Sequence, residues 1–153
     1  MQKITPFFWF EDKAGEAAKY YTSVFPDSKI LSESVMKDTP SGTVEIYEIL
    51  LSEQKFTLMS AGPLAKFNEA ISFIIDCKDQ KEVDYFWEKL SAVPESEACG
   101  WCKDKFGVSW QIVPRKMTEL LAQDKTGKVQ QAMLKMKKID INKLEKAYKE
   151  GKK

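Results

Sequence analysis

Two cysteines three positions apart, Cys99 and Cys102 in the segment CGWC, have the type and spacing that most directly suggest chemistry. Such a pair can be a redox couple, half of a zinc site or two unrelated thiols. A redox pair needs a helix N-terminus to lower the pKa of its first thiol. Here the pair is predicted to lie in a strand, where residues i and i+3 point to opposite faces. Zinc needs four Cys or His ligands, and Cys77 is the only other cysteine. The sequence therefore favours ordinary thiols.

The chain contains no histidine. This excludes Ser-His and Cys-His nucleophile pairs and the metal sites that are built on imidazole. Acid–base chemistry near neutral pH would then fall to Asp, Glu, Tyr, Cys or Lys with shifted pKa values. The seven glycines form neither GxGxxG nor GxxxxGK[ST]. A Rossmann dinucleotide site or a glycine-rich loop for S-adenosylmethionine therefore has no support in the sequence.

Composition and charge indicate a soluble protein with an uneven distribution of basic residues. Of the 153 residues, 43% are hydrophobic and 31% charged, and the apolar runs are too short to span a bilayer. The N-terminus lacks the pattern of a signal peptide, so we expect a cytoplasmic protein without a membrane partner. Residues 115–153, here called the tail, hold twelve Lys or Arg and five Asp or Glu. We predict helices with a solvated Lys face packed on the same chain, rather than a nucleic-acid or partner-binding face.

Hydrophobic periodicity predicts an α+β protein whose second half repeats the first. Phe7 and Phe73, and likewise Tyr20 and Phe86, correspond at an offset of 66 residues. We predict one domain over 1–114, with modules of about 1–62 and 69–114, followed by a helical extension over 115–153. The predicted elements are a strand over 4–10, a helix over 11–25 ending before Pro26, strands over 28–37, 43–51 and 55–62, a strand over 70–77, a helix over 78–90, strands over 99–104 and 108–114, and helices over 115–123, 127–139 and 141–151, the last capped by Asp140.

Several segments together resemble one known family. They are ITPFFWFEDKAGEAAKYYTSVFPDSKI, FNEAISFIIDC, CGWCKDKFGVSWQIVP and QQAMLKMKKIDINKLEKAY. The chain resembles, over nearly its whole length, the PhnB-like branch of the vicinal oxygen chelate superfamily, which includes glyoxalase and bleomycin-resistance proteins. The resemblance implies two βαβββ modules that form a cupped mixed sheet, here with C-terminal helices added. It also implies a homodimer.

Metal-dependent members of the superfamily place four His or Glu ligands in the cup. The resemblance puts these positions near Thr5, near Ser60, between Ala70 and Ser72, and at Gln111, where the metal enzymes have Glu. None of these positions holds an ionisable ligand. Thr, Ser and Gln alone bind a hard divalent ion weakly. We therefore expect neither a metal nor another cofactor.

Four functions remain open. The favoured one is a metal-free protein that binds a small molecule in the cup. The second is an enzyme of the same fold that uses Glu48, Glu69 or Tyr47 as a general base. The third is a demethylubiquinone-type methyltransferase, the name that often accompanies this family, and the fourth is an interaction protein with a basic tail. The candidate lining residues are Thr5, Phe7, Trp9, Ser60, Ser72, Trp101 and Gln111.

Overall fold

The first half of the chain forms one strand, one helix and three further strands, in the order that its hydrophobic pattern predicts. The computed structural model describes residues 2–153, and the chain divides into two compact units after Lys66. The elements of the first unit are β1 (Phe7–Phe10), α1 (Ala14–Val24), β2 (Lys29–Thr39), β3 (Gly42–Leu51) and β4 (Gln54–Ser60).

Helix α1 buries one side and begins without a capping side chain of its own. Ala17, Tyr21 and Val24 recur at helical spacing and are buried. The first backbone N–H of the helix, at Ala14, donates instead to the hydroxyl of Ser60, at 2.9 Å. The helix ends before Pro26, as predicted, because proline cannot continue the ladder of helical hydrogen bonds.

The sheet of the first unit has the strand order β1-β4-β3-β2, with β1 parallel to β4 and the other pairs antiparallel. Phe8 pairs with Leu58, and both are buried. Side chains alternate between the two faces of a strand. Phe7 and Trp9 therefore lie on the face opposite to that of Phe8.

The second half begins again with a strand and a helix and continues with two strands. Its elements are β5 (Ser72–Cys77), α2 (Gln80–Leu90), a short 3-10 helix (Pro94–Ser96), β6 (Trp101–Lys103) and β7 (Ser109–Pro114). The sheet order is β5-β7-β6, with β5 parallel to β7. The described part of this unit thus has one strand fewer than the βαβββ pattern. The predicted α+β class is confirmed.

One sequence-based expectation about the CxxC segment, that both cysteines lie in a strand, is wrong. Only Cys102 lies in a strand, whereas Cys99 and Gly100 form a turn with φ of 52° and 89°. The backbone N–H groups of this turn donate to the carbonyls of Met136 and Lys137, both at 2.8 Å. The turn is therefore shaped by contacts with two tail residues that lie more than thirty positions away in sequence.

The tail forms three helices that pack in the second unit. They are α3 (Arg115–Gln123), α4 (Lys128–Leu134) and α5 (Ile141–Gly151). The helix predicted over 127–139 is too long, since α4 ends at Leu134. The capping role of Asp140 is confirmed, because its side chain accepts from the N–H of Lys143 at 3.1 Å. The buried cluster between these helices consists of Met117, Leu120, Val129, Ile139 and Leu144. No helix within residues 2–153 has the length and apolar character needed to cross a membrane.

Candidate functional site

Two rows of side chains on one face of the second sheet cross all three of its strands. The first row is Ser72, Ser109 and Lys103, which are paired in register on β5, β7 and β6. The second row holds Ile74, Gln111 and Trp101 on the same strands. Residues in register on neighbouring strands share a face. We call these six residues the polar sheet face.

The opposite face of this sheet is apolar and is packed against α2. It holds the buried residues Cys102, Trp110 and Ile112. Helix α2 contributes the buried side chains of Val83 and Phe86. Because α2 covers that side, the polar sheet face is the side of this sheet that the helix leaves open.

Three of the predicted lining residues meet on the polar sheet face. The side-chain amide of Gln111 donates to the hydroxyl of Ser72 at 2.9 Å. Trp101 lies directly opposite Gln111 in the register of β6 and β7 and is half-buried. Ile74, on the other side of Gln111, is 65% exposed. An amide, a hydroxyl and an indole ring are therefore neighbours on one surface.

Ser109 was not among the predicted residues, yet it has an unusual environment. It is 2% exposed, and its hydroxyl has no hydrogen-bond partner among the described residues. Buried hydroxyl groups normally find a partner, so an orphaned one requires an explanation such as a ligand or a bound water. Its position two residues before Gln111 on the same strand is a signal that sequence reasoning could have used.

Lys103, which sequence reasoning also missed, is the one charged residue among the six that we call the polar sheet face. Its ammonium group contacts the carboxylate of Glu69 at 2.7 Å. The hydrogen bond from Lys103 is the main reason why the pKa of Glu69 lies below its ordinary value. A carboxylate with a lowered pKa is a weaker base, which disfavours Glu69 as the general base.

The predicted residues of the first unit are divided between the two faces of its sheet. Phe7 is 55% exposed, and Trp9 donates from its indole nitrogen to the carbonyl of Gly62 at 2.9 Å. Ser60 is the parallel neighbour of Phe10, on the α1 side, and its hydroxyl is engaged by the N–H of Ala14. Thr5 is exposed and precedes β1. Phe7 and Trp9 therefore share a surface, and Ser60 does not lie on it.

The two remaining candidate bases point to opposite sides of the first sheet. Glu48 lies in register with Thr57, which pairs with Phe7, and so shares the face of Phe7. Tyr47 lies on the α1 side, so close to the helix that a Cβ on Gly15 would be 2.7 Å from its hydroxyl oxygen. Burial, then the charge of Glu45, raises the pKa of Tyr47. The structure therefore favours Glu48 over Tyr47 as a base.

Comparison with known proteins places the chain in a family. A model of the family described as 3-demethylubiquinone-9 3-methyltransferase matches residues 2–113. This chain belongs to that PhnB-like family. A PhnB protein from Bacillus cereus, provisionally described as a 3-demethylubiquinone-9 3-methyltransferase, is 32% identical, and the match covers 74% of this chain and 99% of the other, with a TM-score of 0.62. No curated protein matches the chain.

More distant structures show that the fold is that of the glyoxalase and bleomycin-resistance proteins, as the resemblance implies. The fosfomycin resistance protein FosX from Listeria monocytogenes is 12% identical, with a TM-score of 0.56 over 78% of this chain and 96% of FosX. Protein PA1353 from Pseudomonas aeruginosa is 16% identical, with a TM-score of 0.53 over 74% of this chain and 98% of its own. The family match stops at residue 113, so the tail lies outside it, although the sequence resemblance was expected to include it.

Two of the positions at which the resemblance places metal ligands, Ser60 and Gln111, have side chains that are already engaged in hydrogen bonds. The hydroxyl of Ser60 is engaged by the start of α1, and Gln111 directs its amide nitrogen, a donor, at Ser72. Within residues 2–153, no group of three or more Cys, Asp or Glu residues is arranged to hold a metal. Hydroxyl and amide groups already bonded to each other are poor replacements for carboxylate or imidazole ligands.

The cysteines are free thiols with different environments. Cys77 and Cys102 are buried, and this burial raises the pKa of each to about 12. Such thiols are almost entirely protonated at neutral pH, and the thiolate is the reactive form. Cys99, in its turn, is only partly buried. Burial thus keeps Cys102 from acting as a nucleophile in the folded protein.

Proposed function

We propose that this family member binds a small molecule on the polar sheet face and that its own side chains hold the ligand without a resident metal. The observation that carries the proposal is the hydrogen bond from Gln111 to Ser72 beside the half-buried ring of Trp101. Ligand sites combine apolar and aromatic side chains with a few polar groups that fix orientation. The polar sheet face supplies such polar groups, and Trp101 and Ile74 are its apolar members.

The unused hydrogen-bonding capacity of the face suggests the chemistry of its ligand. The amide oxygen of Gln111 accepts and the hydroxyl of Ser72 can donate, whereas the hydroxyl of Ser109 is buried and would need a rearrangement to reach a ligand. Trp101 offers a flat apolar surface for stacking. Lys103 adds a positive charge, which Glu69 balances in part. A planar molecule with carbonyl or carboxylate oxygens at its edge would satisfy these groups.

A second function is favoured by the position of Glu48. Its carboxylate shares a sheet face with Phe7 and accepts a hydrogen bond from the hydroxyl of Ser32 at 3.2 Å. A carboxylate on the same sheet face as an exposed aromatic ring, with Thr57 between them in register, could take a proton from a bound substrate. An enzyme of this kind would turn over its substrate at a rate that depends on Glu48. A protein that only binds a ligand on the polar sheet face would show no turnover.

The first experiment is a thermal-shift screen with quinone-like aromatics, aromatic antibiotics, S-adenosylmethionine and divalent metals. A ligand at about a hundred times its dissociation constant adds roughly 2.7 kcal/mol, which moves the midpoint by several degrees. We expect an aromatic ligand to give the shift. A shift with S-adenosylmethionine would instead support the methyl transfer that the family name implies, and a shift with a metal would contradict the proposal.

Two variants assign the binding surface once a ligand is found. Gln111→Leu and Trp101→Leu should each weaken binding by about tenfold or more, since one removes polar contacts and the other stacking area. Gln123→Leu, at the end of α3, is the matched control and should leave the affinity unchanged. Equal affinity in all three variants would place the ligand elsewhere. Turnover that is lost in Glu48→Gln would support the second function.

Two expectations from the resemblance and the composition stay predictions. One is the homodimer, which sedimentation equilibrium at micromolar concentration would test. The other is a cytoplasmic location, which fractionation of cells producing the protein would test. Neither is needed for binding on the polar sheet face, because all six of its residues belong to one unit of one chain.

A further inference from the structure

The tail contains a cleft between α4 and α5 that belongs to none of the surfaces described above. Its volume is about 460 Å³, within the size range of small-molecule sites. Three lysines line it, namely Lys128 on α4, Lys135 directly after the end of α4 and Lys143 on α5, together with Gln131 and Glu150. The remaining lining is mainly apolar and includes two alanines. We call this the tail cleft.

Within residues 2–153, the lysines of the tail cleft share the lack of an ion pair with other tail lysines such as Lys146 and Lys149, and they are distinguished by lining one cleft together. Arg115 contacts Asp76 at 2.7 Å and Lys138 contacts Asp84 at 2.9 Å, so these two cations are neutralised by carboxylates. In the part of the chain that the structure describes, Lys128, Lys135 and Lys143 form no ion pair. Three like charges in one lining repel one another, the single carboxylate of Glu150 offsets them only in part, and a bound anion would reduce that repulsion further.

The walls of the tail cleft are held by contacts outside it. The carboxylate of Asp124 accepts from the N–H of Val129 at 2.9 Å, which fixes the start of α4. The carbonyl of Met136 accepts from the N–H of Cys99 at 2.8 Å, which fixes the segment after α4. A cleft whose walls are held in this way needs little rearrangement to accept a ligand.

We propose that the tail cleft binds a small phosphate ester or pyrophosphate compound. Lysine binds phosphate as a point charge, whereas a planar carboxylate is better matched by the fork of arginine, which the cleft lacks. Three lysines against one carboxylate, Glu150, favour a multiply charged anion. The apolar part of the lining would contact the organic portion of the ester. This site is independent of the polar sheet face and lies outside the family match, which ends at residue 113.

The test is a titration of the full-length protein with sodium pyrophosphate at low salt, followed by amide NMR. The side-chain amide of Gln131 and the backbone amides around Lys135 and Lys143 should shift with saturation. Lys135→Gln/Lys143→Gln should weaken binding by about tenfold or more, because two ammonium contacts are lost. Lys146→Gln/Lys149→Gln on α5 removes the same net charge outside the cleft and should change affinity less than about threefold.

A variant that removes a negative charge tests whether the anion binds in the tail cleft itself or is attracted by the overall positive charge of the tail. Glu150→Gln removes the carboxylate that opposes an anion in the cleft, so it should tighten pyrophosphate binding by about threefold. Glu145→Gln makes the same change of net charge on α5 outside the cleft and should have little effect. Equal effects of the cleft variants and their controls, or no saturable shift, would overturn the proposal. Binding only to vesicles of phosphatidylglycerol, with no competition by pyrophosphate, would also overturn it by pointing to a lipid surface.

Discussion

The indole nitrogen of Trp110 donates a hydrogen bond to the carboxylate of Asp104 at 2.8 Å, and both residues are buried. The other carboxylate oxygen accepts from the backbone N–H groups of Phe106 and Val108, at 2.9 and 3.0 Å. One side chain therefore holds the turn between β6 and β7. It also sets the register in which Lys103 faces Ser109 on the polar sheet face.

Removing this carboxylate should destabilise the protein strongly. Asp104→Ala leaves three donors without an acceptor, and each buried donor costs about 1–3 kcal/mol, so we expect a loss of roughly 3 kcal/mol or more. Urea unfolding gives the measurement. Trp110→Phe keeps most of the ring and removes only one of the three donors, so its loss should be smaller. A larger loss for Trp110→Phe than for Asp104→Ala would contradict this account.

The ion pair between Glu69 and Lys103 should make a small, pH-dependent contribution to stability. The pKa of Glu69 is lowered in the folded state, chiefly by the hydrogen bond from Lys103. The contribution is thus complete above the ordinary carboxylate pKa and is lost as pH falls through the lowered value. The unfolding free energy of the wild type should be larger than that of Glu69→Gln near pH 7. The two values should become equal at acid pH. Glu95→Gln serves as the control, and high salt should reduce the difference.

The three thiols should react at very different rates in the native protein. Cys77 and Cys102 are buried with the pKa of each raised to about 12, whereas Cys99 lies partly exposed in its turn. Iodoacetamide at pH 8 should therefore label Cys99 first, as read by peptide mass mapping. Cys99→Ser should abolish the fast phase. Labelling of Cys102 at the rate of Cys99 without unfolding would show that the segment is a reactive pair after all.

Replacing Gly100 should destabilise the protein more than replacing Gly42, another glycine whose backbone dihedral φ is positive. Both Gly100 and Gly42 have positive φ, near 89° and 81°. A Cβ at Gly42 would meet nothing within 4 Å, whereas at Gly100 it would lie 3.0 Å from the carbonyl oxygen of Ile112 and 3.2 Å from a side-chain carbon of Ile139. Gly42→Ala should cost about 1–2 kcal/mol from backbone strain alone. Gly100→Ala should cost roughly 1–3 kcal/mol more, from overpacking, and equal losses in thermal unfolding would contradict this.

Local patterns predicted most elements well, because their signals are contained within a few residues. The apolar spacing of α1, its end before Pro26 and the cap at Asp140 are all local features, and all three are confirmed. The end of α4 is different. The helical periodicity continues to Met136, but α4 ends two residues earlier, and the carbonyls of Met136 and Lys137 accept from the N–H groups of Cys99 and Gly100. A distant contact overrides local propensity there.

The candidate site was harder to predict because alternation along a strand does not say which face is covered. Gln111, Ser72 and Trp101 share a face, and the sequence proposed all three. Ser60 was proposed on the same grounds, but its hydroxyl bonds to the start of α1. Ser109 was missed because its orphaned hydroxyl is visible only once burial is known. Register and burial, which depend on long-range pairing, decide these cases.

The bonds from the Cys99 turn to the tail connect the family-matched region to the segment beyond it. The amide protons of Cys99 and Gly100 are held by the carbonyls of Met136 and Lys137. Their exchange with deuterated solvent therefore requires the tail to move away, even if the sheet stays intact. The exchange rates of these two amides therefore measure how often the tail opens at Met136 and Lys137. A compound that tightens α4 against α5 should slow their exchange without touching the turn itself.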